Sequence, residues 1–310
     1  MTLTQLSYIV AVDKYRHFAT AAQKIYITQP TLSMQIQKLE DELGVLIFDR
    51  SKTPVIPTSV GELIIEQAKS ILSGAKHIED IVAVEGESLK GSFRVGIIPT
   101  IAPYLVPLFL QNFVEKYPDV ELTFEEALTS EVLEGLNEDH FDVGIIATPT
   151  TKHLFEVDLY LEPFMGYLSA KHDLAGKDEI CIDDLYKEDL WLLNEGHCFR
   201  DQTMKICKKN NESKNKTPIT FESGNLETLK RLVEKDFGIT LMPYLAVNDH
   251  DKTCANGVVK EFMDPVPSRK VRLVYSREFL KKNLIESFSQ VIRTSIPDEL
   301  QEAKDTLIVE

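Results

Sequence analysis

Ile27-Thr28-Gln29-Pro30-Thr31-Leu32-Ser33-Met34-Gln35-Ile36-Gln37-Lys38-Leu39-Glu40-Asp41-Glu42-Leu43-Gly44 is the stretch on which the fold turns. Thr28 is a good helix N-cap, with Pro30 just inside the helix. Leu32, Ile36, Leu39 and Leu43 recur on one face up to Gly44, a stop signal. Gln29, Thr31, Ser33, Gln35 and Lys38 fall largely on the other face. Gln and Thr side chains can make the donor–acceptor contacts needed at base edges in a major groove. Two shorter helical patterns precede it: Leu3, Leu6, Ile9, Val10, Val12, and then Phe18, Ala21, Ala22, Ile25. Only a short gap separates the second from the third, which is helix-turn-helix order. Downstream, Val45-Leu46-Ile47-Phe48 and Val55-Ile56 read as strands around the tip Arg50-Ser51-Lys52-Thr53-Pro54. That is a wing, and its Arg50 and Lys52 suit backbone phosphates. The competing reading is a helical module whose polar face is merely solvated.

Residues 58–86 read as one long helix capped by Thr58. Val60, Ile64, Ala68, Ile71, Ala75, Ile78 and Val82 are spaced close to a heptad seam. Such a seam suits a dimer, which operators with two half-sites require. It equally suits packing on the protein's own body, and the spacing does not choose. Glu85-Gly86-Glu87-Ser88 reads as a hinge.

The 310 residues suggest two or more domains. The net charge of −15 seems hostile to nucleic acid, but it divides unevenly. Residues 1–58 hold six basic side chains against five acidic ones, for +1, leaving −16 on the other 252 residues. Weak non-specific DNA binding is expected, because phosphate neutralisation drives that term. No apolar run is long enough for a membrane span, and the first residues lack a basic secretory region. The expected location is therefore the cytoplasm. The cysteines, Cys181, Cys198, Cys207 and Cys254, form neither a disulfide framework nor a zinc-spaced cluster. No metal and no cofactor are expected. There is no Walker sequence, Gly-x-Gly-x-x-Gly or Gly-x-Ser-x-Gly.

From Phe93 onward, strands and helices alternate. Strands are expected at 93–98, 120–124, 141–146, in 159–169, at 219–221, 238–242 and, last and longest, 269–275. Helices are expected at 105–116, 132–138, 226–234 and 280–293. The pattern predicts an α/β fold with mainly parallel strands in two small lobes, which bind ligands beyond the carboxyl ends of strands. Pro99-Thr100 follows the first strand, and Thr129 opens the helix after strand 120–124.

One stretch stands apart: Gly196-His197-Cys198-Phe199-Arg200-Asp201, with Cys207 nine positions on. A thiol flanked by histidine and arginine is in position to be held as a thiolate, and a second thiol can resolve what the first becomes. Asn194-Glu195-Gly196 looks like a loop, which puts Cys198 at or near a helix N-terminus, whose dipole also favours the thiolate. Otherwise both cysteines are small buried hydrophobes.

The run Phe18-Ala19-Thr20-Ala21-Ala22 … Ile27-Thr28-Gln29-Pro30-Thr31-Leu32-Ser33 … Ile36 … Leu39-Glu40 … Leu43-Gly44 … Leu46 … Phe48-Asp49-Arg50 resembles the LysR-type transcriptional regulators. The resemblance implies a winged helix-turn-helix over 1–58, a dimerising linker helix over 59–88 and a two-lobed effector domain of periplasmic-binding-protein type over 89–296. Lobe I would take 89–162 plus 268–296, and lobe II 163–267, with a tail at 297–310 outside the resemblance. Gly196-His197-Cys198-x-Arg200-Asp201-Gln202 with Cys207 is similar to the hydrogen-peroxide-sensing members, as are Ile98-Pro99-Thr100, Pro103-Tyr104-Leu105, Gly238 to Pro243 and Arg269. It implies that Cys198 reacts with peroxide and Cys207 resolves it. It implies that Thr100, Thr129 and Arg269 join His197, Arg200 and Asp201 in stabilising thiolate or peroxide. It also implies an oxidised tetramer, a dimer of dimers, that activates antioxidant genes. The implied partners are double-stranded DNA, hydrogen peroxide, RNA polymerase and a cellular disulfide reductant. Met34 departs from the basic residue common after the recognition serine, removing a phosphate contact. Cys181 and Cys254 fall outside the motif.

Nine residues of helix rise about 13 Å, while a disulfide needs Cα atoms within about 7 Å. A helical 198–207 segment must therefore unwind before its cysteines can join. Competing readings are a LysR-type regulator of a small metabolite between the lobes, a thiol peroxidase or oxidoreductase, and a solute-binding protein.

Overall fold

A computed structural model of the chain describes residues 1–84, 89–150, 154–187, 190–207, 223–248, 257–277, 281–300 and 306–310. The chain divides into two units, Met1–Glu85 and Gly86–Glu310.

The first unit packs α1 (Leu3–Tyr15), α2 (Phe18–Lys24) and α3 (Gln29–Leu43) around Leu6, Ile9, Val12, Leu32, Ile36 and Leu39. Each helix start is written locally. Thr2 Oγ1 accepts from Gln5 N, and the Gln5 side chain accepts from Thr2 N, which closes a capping box on α1. Thr28 Oγ1 accepts from Thr31 N at the start of α3. Gly44, at φ 71°, ends that helix in the left-handed region that glycine enters without strain.

The wing strands, β1 (Phe48–Asp49) and β2 (Ile56–Pro57), are antiparallel and shorter than the sequence pattern suggests. The reason is Glu40, a buried carboxylate on α3. Its Oε1 accepts from Ile47 N at 2.8 Å and Phe48 N at 3.2 Å, while Val45 N donates to the Glu40 carbonyl. Donors from the expected first strand are thus spent on the helix.

The long helix α4 (Ser59–Val84) starts beside Thr58, whose Oγ1 accepts from Gly61 N at 2.9 Å. Part of its apolar seam turns inward: Ala68 is buried and Ile64 half-buried against the unit's own core, next to Ile65. Val60 and Ile71 stay exposed. The side chains of Ile78 and Val82, and the expected hinge at 85–88, lie outside the described ones.

In the second unit, β3 (Gly91–Ile97), α5 (Ala102–Lys116), β4 (Val120–Glu126), α6 (Thr129–Asn137) and β5 (Val143–Ile146) alternate as expected. The strands β4, β3 and β5 are parallel neighbours. Beyond them the sheet becomes mixed: Leu190–Trp191 and Ile239–Pro243 still run parallel, as do Glu179–Ile180 and Gly257–Phe262, but the long strands do not. The single 15-residue strand β6 (Phe155–Ser169) runs antiparallel to its neighbours. Phe155–Pro163 pair with a long strand over Val266–Tyr275, and Phe164–Leu168 with one over Ile239–Pro243. Leaving β6 are β7 (Glu179–Ile180), β8 (Leu190–Trp191), α7 (Cys198–Ile206), α8 (Leu226–Val233), β9 (Ile239–Pro243), α9 (Leu245–Asn248), β10 (Gly257–Phe262), β11 (Val266–Tyr275) and α10 (Lys282–Ser295). The sheet is mixed because β6 and β11 cross between two cores instead of returning over a helix each time. The expected strand at 219–221 lies outside the described residues.

Two apolar cores flank this crossing. One gathers Phe93, Phe109, Phe113, Val132, Ile145 and Phe288, whose ring meets Phe93 edge-on at 5.2 Å. The other gathers Phe164, Tyr167, Trp191, Leu229, Ile239 and Met242. The sequence reading also placed the last strand at 269–275, which is incomplete. Thr306–Ile308 form a further strand, β12, parallel to β11, with Val266 opposite Thr306 and Ser268 opposite Ile308.

Gly61 yields a test of the first unit. A Cβ there would sit 2.0 Å from the Ile47 carbonyl oxygen, a backbone atom that cannot swing away. Gly61→Ala is expected to destabilise this unit by about 2–3 kcal/mol, read as a lower urea midpoint, despite alanine's better helix propensity. An unchanged midpoint would mean that α4 and the wing do not pack this closely.

Candidate functional site: a thiol beside a buried arginine

Cys198 is the first residue of α7, and Gly196, at φ 94°, turns the chain into it. That turn lies against the start of α6, since a Cβ on Gly196 would meet Leu128 Cδ1 at 3.2 Å. Cys198 packs on the core containing Phe93 and Val132, whereas Phe199, Ile206 and Cys207 belong to the other core. The helix bridges the two. Cys207 caps its far end, fully buried, with its N–H donating to Thr203 O at 3.0 Å. None of Cys181, Cys198 and Cys207 is joined in a disulfide. Cys254 lies outside the described residues.

Arg269 organises the surroundings. It is buried on β11, with Nε and Nη2 donating to Glu162 Oε2 at 2.9 and 2.7 Å. Nη1 donates to Thr100 Oγ1 at 2.9 Å and Nη2 to the Thr100 carbonyl at 3.0 Å. These bonds occupy four of the five guanidinium N–H donors, leaving one on Nη1. The Phe199 ring stacks under the guanidinium at 5.1 Å. Glu162, equally buried, uses Oε1 to accept from Leu245 N at 3.1 Å. Two residues of β6 and β11, one loop after β3 and the first turn of α7 therefore share one ion pair.

The Cys198 thiol responds to this setting in an unexpected direction. Burial pushes its pKa up from the ordinary thiol value. The Arg269 charge, the Thr129 hydroxyl and the Phe199 N–H pull it down, and the Asp201 carboxylate adds to the rise. Thr129 Oγ1 is buried without a formed hydrogen bond, although it lies close enough to the sulfur to favour the thiolate.

Three sequence expectations change here. Arg200 does not supply the cation: its Nη1 donates to the Leu193 carbonyl at 2.9 Å, and the charge acting on the sulfur is that of Arg269. Asp201 disfavours the thiolate, because it is a like charge. His197 is buried, which lowers its pKa and disfavours a positive charge beside the sulfur. Thr100, Thr129 and Arg269 do come together around Cys198 and its helix.

The sequence reading missed Glu162 and marked Gln202 only as a motif position, without a role. Glu162 interrupts the apolar run Leu159-Tyr160-Leu161-Glu162-Pro163-Phe164, and a carboxylate in a buried strand needs a cationic partner. That signal was available. For Gln202 the motif marked the position but not the role, because only the fold brings acceptors to it. Its Nε2 donates to Ala147 O at 2.8 Å and Val309 O at 3.0 Å.

In the first unit, Thr28, Gln29, Pro30 and Lys38 are exposed along α3, while Thr31, Ser33 and Gln35 are half-buried. Lys52 is exposed on the wing. Arg50 is less available than expected. Its Nη2 bonds Glu40 Oε2 at 2.7 Å, its Nη1 bonds Ser33 Oγ at 3.2 Å, and it lies 5.2 Å over the Phe18 ring. It pins the wing to the recognition helix. Met34 is exposed.

Among the described residues, no group of three His, Cys, Asp or Glu side chains could hold a metal. No described helix is long and apolar enough to cross a membrane.

Residues 3–62 match the bacterial regulatory helix-turn-helix family of lysR type, and residues 86–297 the LysR substrate-binding domain. The chain is 34% identical over 297 residues to a hydrogen peroxide-inducible genes activator of Pectobacterium carotovorum, covering 94% of this chain and 96% of the relative. It is 35% identical over 295 residues to the DNA-binding transcriptional dual regulator OxyR of Escherichia coli K12, covering 94% and 95%. Among solved structures, a full-length OxyR variant from Pseudomonas aeruginosa superposes with a TM-score of 0.77 at 36% identity, over 96% of this chain and 99% of that one. A hydrogen-peroxide-bound OxyR mutant of Corynebacterium glutamicum gives 0.65 at 31%, over 99% and 98%.

Two measurements test the site. Because burial disfavours the thiolate, alkylation of Cys198 by iodoacetamide should keep rising with pH beyond the ordinary thiol value. Thr129→Val should move that curve to higher pH and Asp201→Asn to lower pH. A rate already flat at neutral pH would reveal a preformed thiolate instead. Second, Arg269→Met strands the Glu162 carboxylate and should cost about 3–5 kcal/mol in urea unfolding. Adding Glu162→Met should recover much of that loss.

Proposed function

The chain belongs to the LysR family of bacterial transcriptional regulators, and we propose that it is a hydrogen-peroxide-sensing member, mainly an activator of antioxidant genes, switched by a reversible Cys198–Cys207 disulfide. The observation that carries this reading is the placement of α7, which holds one cysteine in each core with Arg269 and Thr129 about the first.

The chemistry runs in two steps. Cys198 gives up its proton, and the thiolate attacks one peroxide oxygen. The O–O bond breaks, the sulfur is oxidised by two electrons to sulfenic acid, and the departing hydroxide takes a proton and leaves as water. The buried Thr129 hydroxyl and the remaining Arg269 N–H suit a small molecule that both donates and accepts. In the second step Cys207, deprotonated, attacks the sulfenic sulfur. The S–S bond forms, the S–O bond breaks, and hydroxide again leaves as water after protonation.

The second step cannot occur on an intact α7. Its helical rise keeps the Cα atoms about 13 Å apart, and a disulfide needs about 7 Å or less. Oxidation therefore exchanges a folded helix, with Cys207 in an apolar core, for a covalent link. A disulfide contributes roughly 2–4 kcal/mol, enough to offset a short helix.

In this proposal the first unit binds double-stranded DNA through Thr28, Gln29, Pro30, Thr31, Ser33, Gln35 and Lys38, with Lys52 at phosphate and Arg50 bracing the wing. The protein acts in the cytoplasm as a homodimer that assembles into a tetramer, contacts RNA polymerase, and is reset by a cellular disulfide reductant. It acts as a regulator that consumes peroxide stoichiometrically rather than as a peroxidase.

After substoichiometric peroxide, mass spectrometry should find a Cys198–Cys207 linkage. DNA footprints of reduced and oxidised protein should then differ, and Cys198→Ser should abolish the difference. Identical footprints would favour a small metabolite as the effector.

A further inference from the structure

Residues 297–310 had no role in the sequence reading, yet their last part lies on the helix that must unwind. The strand β12 adds to the edge of β11 next to β5: β5 pairs with Arg272–Val274, and β12 with Val266–Ser268. Both strands end at a carbonyl group facing α7. The Gln202 side-chain amide donates to these two, Ala147 O just past β5 and Val309 O just past β12. Val309 itself is buried in the core that holds Phe199, Ile206 and Cys207. One turn further on, Lys205 Nζ donates to the Glu310 main-chain oxygen. The Glu310 carboxylate in turn pairs with Arg272 of β11. Two hydrogen bonds thus join Val309 and Glu310 to the middle of α7, at Gln202 and Lys205, and neither involves the Cys198 thiol.

We infer that Gln202 and the segment Thr306–Glu310 form a latch on α7 that sets how readily Cys207 reaches Cys198, with Gln202 as its positioning residue. The inference rests on the disulfide switch proposed above. Cys198 opens the helix, outside the latched turns, so its reaction with peroxide leaves the latch closed. The resolving step requires unwinding through Gln202 and Lys205, and so requires the latch to open. The latch thereby favours reaction of Cys198 only with resolution held back until α7 unwinds. Oxidation in turn releases the segment from α7.

Two variants test this in the full regulator. Gln202→Leu keeps the side-chain volume and removes both donated bonds. It also removes Gln202 Oε1, a buried acceptor with no partner, which favours retention of the fold. The second variant ends the chain at residue 305. In a Cys207→Ser background, dimedone trapping should give the same rate of sulfenic acid formation at Cys198 for all forms. With Cys207 present, disulfide formation should be about five- to tenfold faster in either variant, the scale of two lost hydrogen bonds. Amide exchange over 198–207 in the reduced protein should accelerate in parallel. Unchanged exchange in both variants would overturn the latch. So would an equal acceleration of both chemical steps, which would mean only a more open thiol. If the unmodified protein forms no Cys198–Cys207 bond, the disulfide switch itself fails, while the exchange measurement still decides whether the segment holds the helix.

Discussion

The buried ion pair between Arg269 and Glu162 is the constraint around which the second unit is arranged. A guanidinium and a carboxylate taken out of water carry a desolvation cost of several kcal/mol per ion, which only close and numerous hydrogen bonds offset. Here the bonds come from separate parts of the chain: β6 gives Glu162, β11 gives Arg269, and the loop after β3 gives both Thr100 oxygens. The Phe199 ring covers the guanidinium from α7. Removing any of these leaves a buried charge short of partners. The thiol helix is therefore seated against a feature the unit has little freedom to rearrange.

The same setting governs how readily Cys198 can lose its proton. Cys198 is half-buried, and burial raises the cost of losing its proton, while Arg269 and Thr129 lower it. A thiolate standing in water would react with many electrophiles. A half-buried thiol whose anion is stabilised by fixed groups favours a small reaction partner. Cys207 is still less accessible, buried in the opposite core at the far end of α7. The two thiols are kept apart by a folded helix, so a bond between them would require that helix to unwind.

Glu40 plays an analogous part in the first unit. One carboxylate accepts two backbone N–H groups from the chain entering the wing, and with its other oxygen it holds Arg50. This fixes the wing relative to α3 without a long hairpin. It also explains why Arg50, read from sequence as a phosphate contact, serves partly as an internal brace.

Much of this was legible in the chain itself. Cap residues, apolar spacing and the Gly44 stop fixed α1 to α3, because those signals act within a few residues of one another. Alternating strand and helix patterns gave the α/β class, and the Gly196-to-Asp201 run with Cys207 marked the thiol site. Other features depended on contacts between parts of the chain dozens to more than a hundred residues apart. The antiparallel crossing of β6 and β11, the choice of Arg269 over Arg200 as the cation near the sulfur, and the docking of Thr306–Glu310 on α7 are of this kind. The sequence by itself determined which side chains could be charged, capped or oxidised. Only the tertiary structure decided which charge faces the thiol and whether burial or attraction governs it, because electrostatic effects depend on distance and on exclusion of water, and neither is a property of neighbours along the chain.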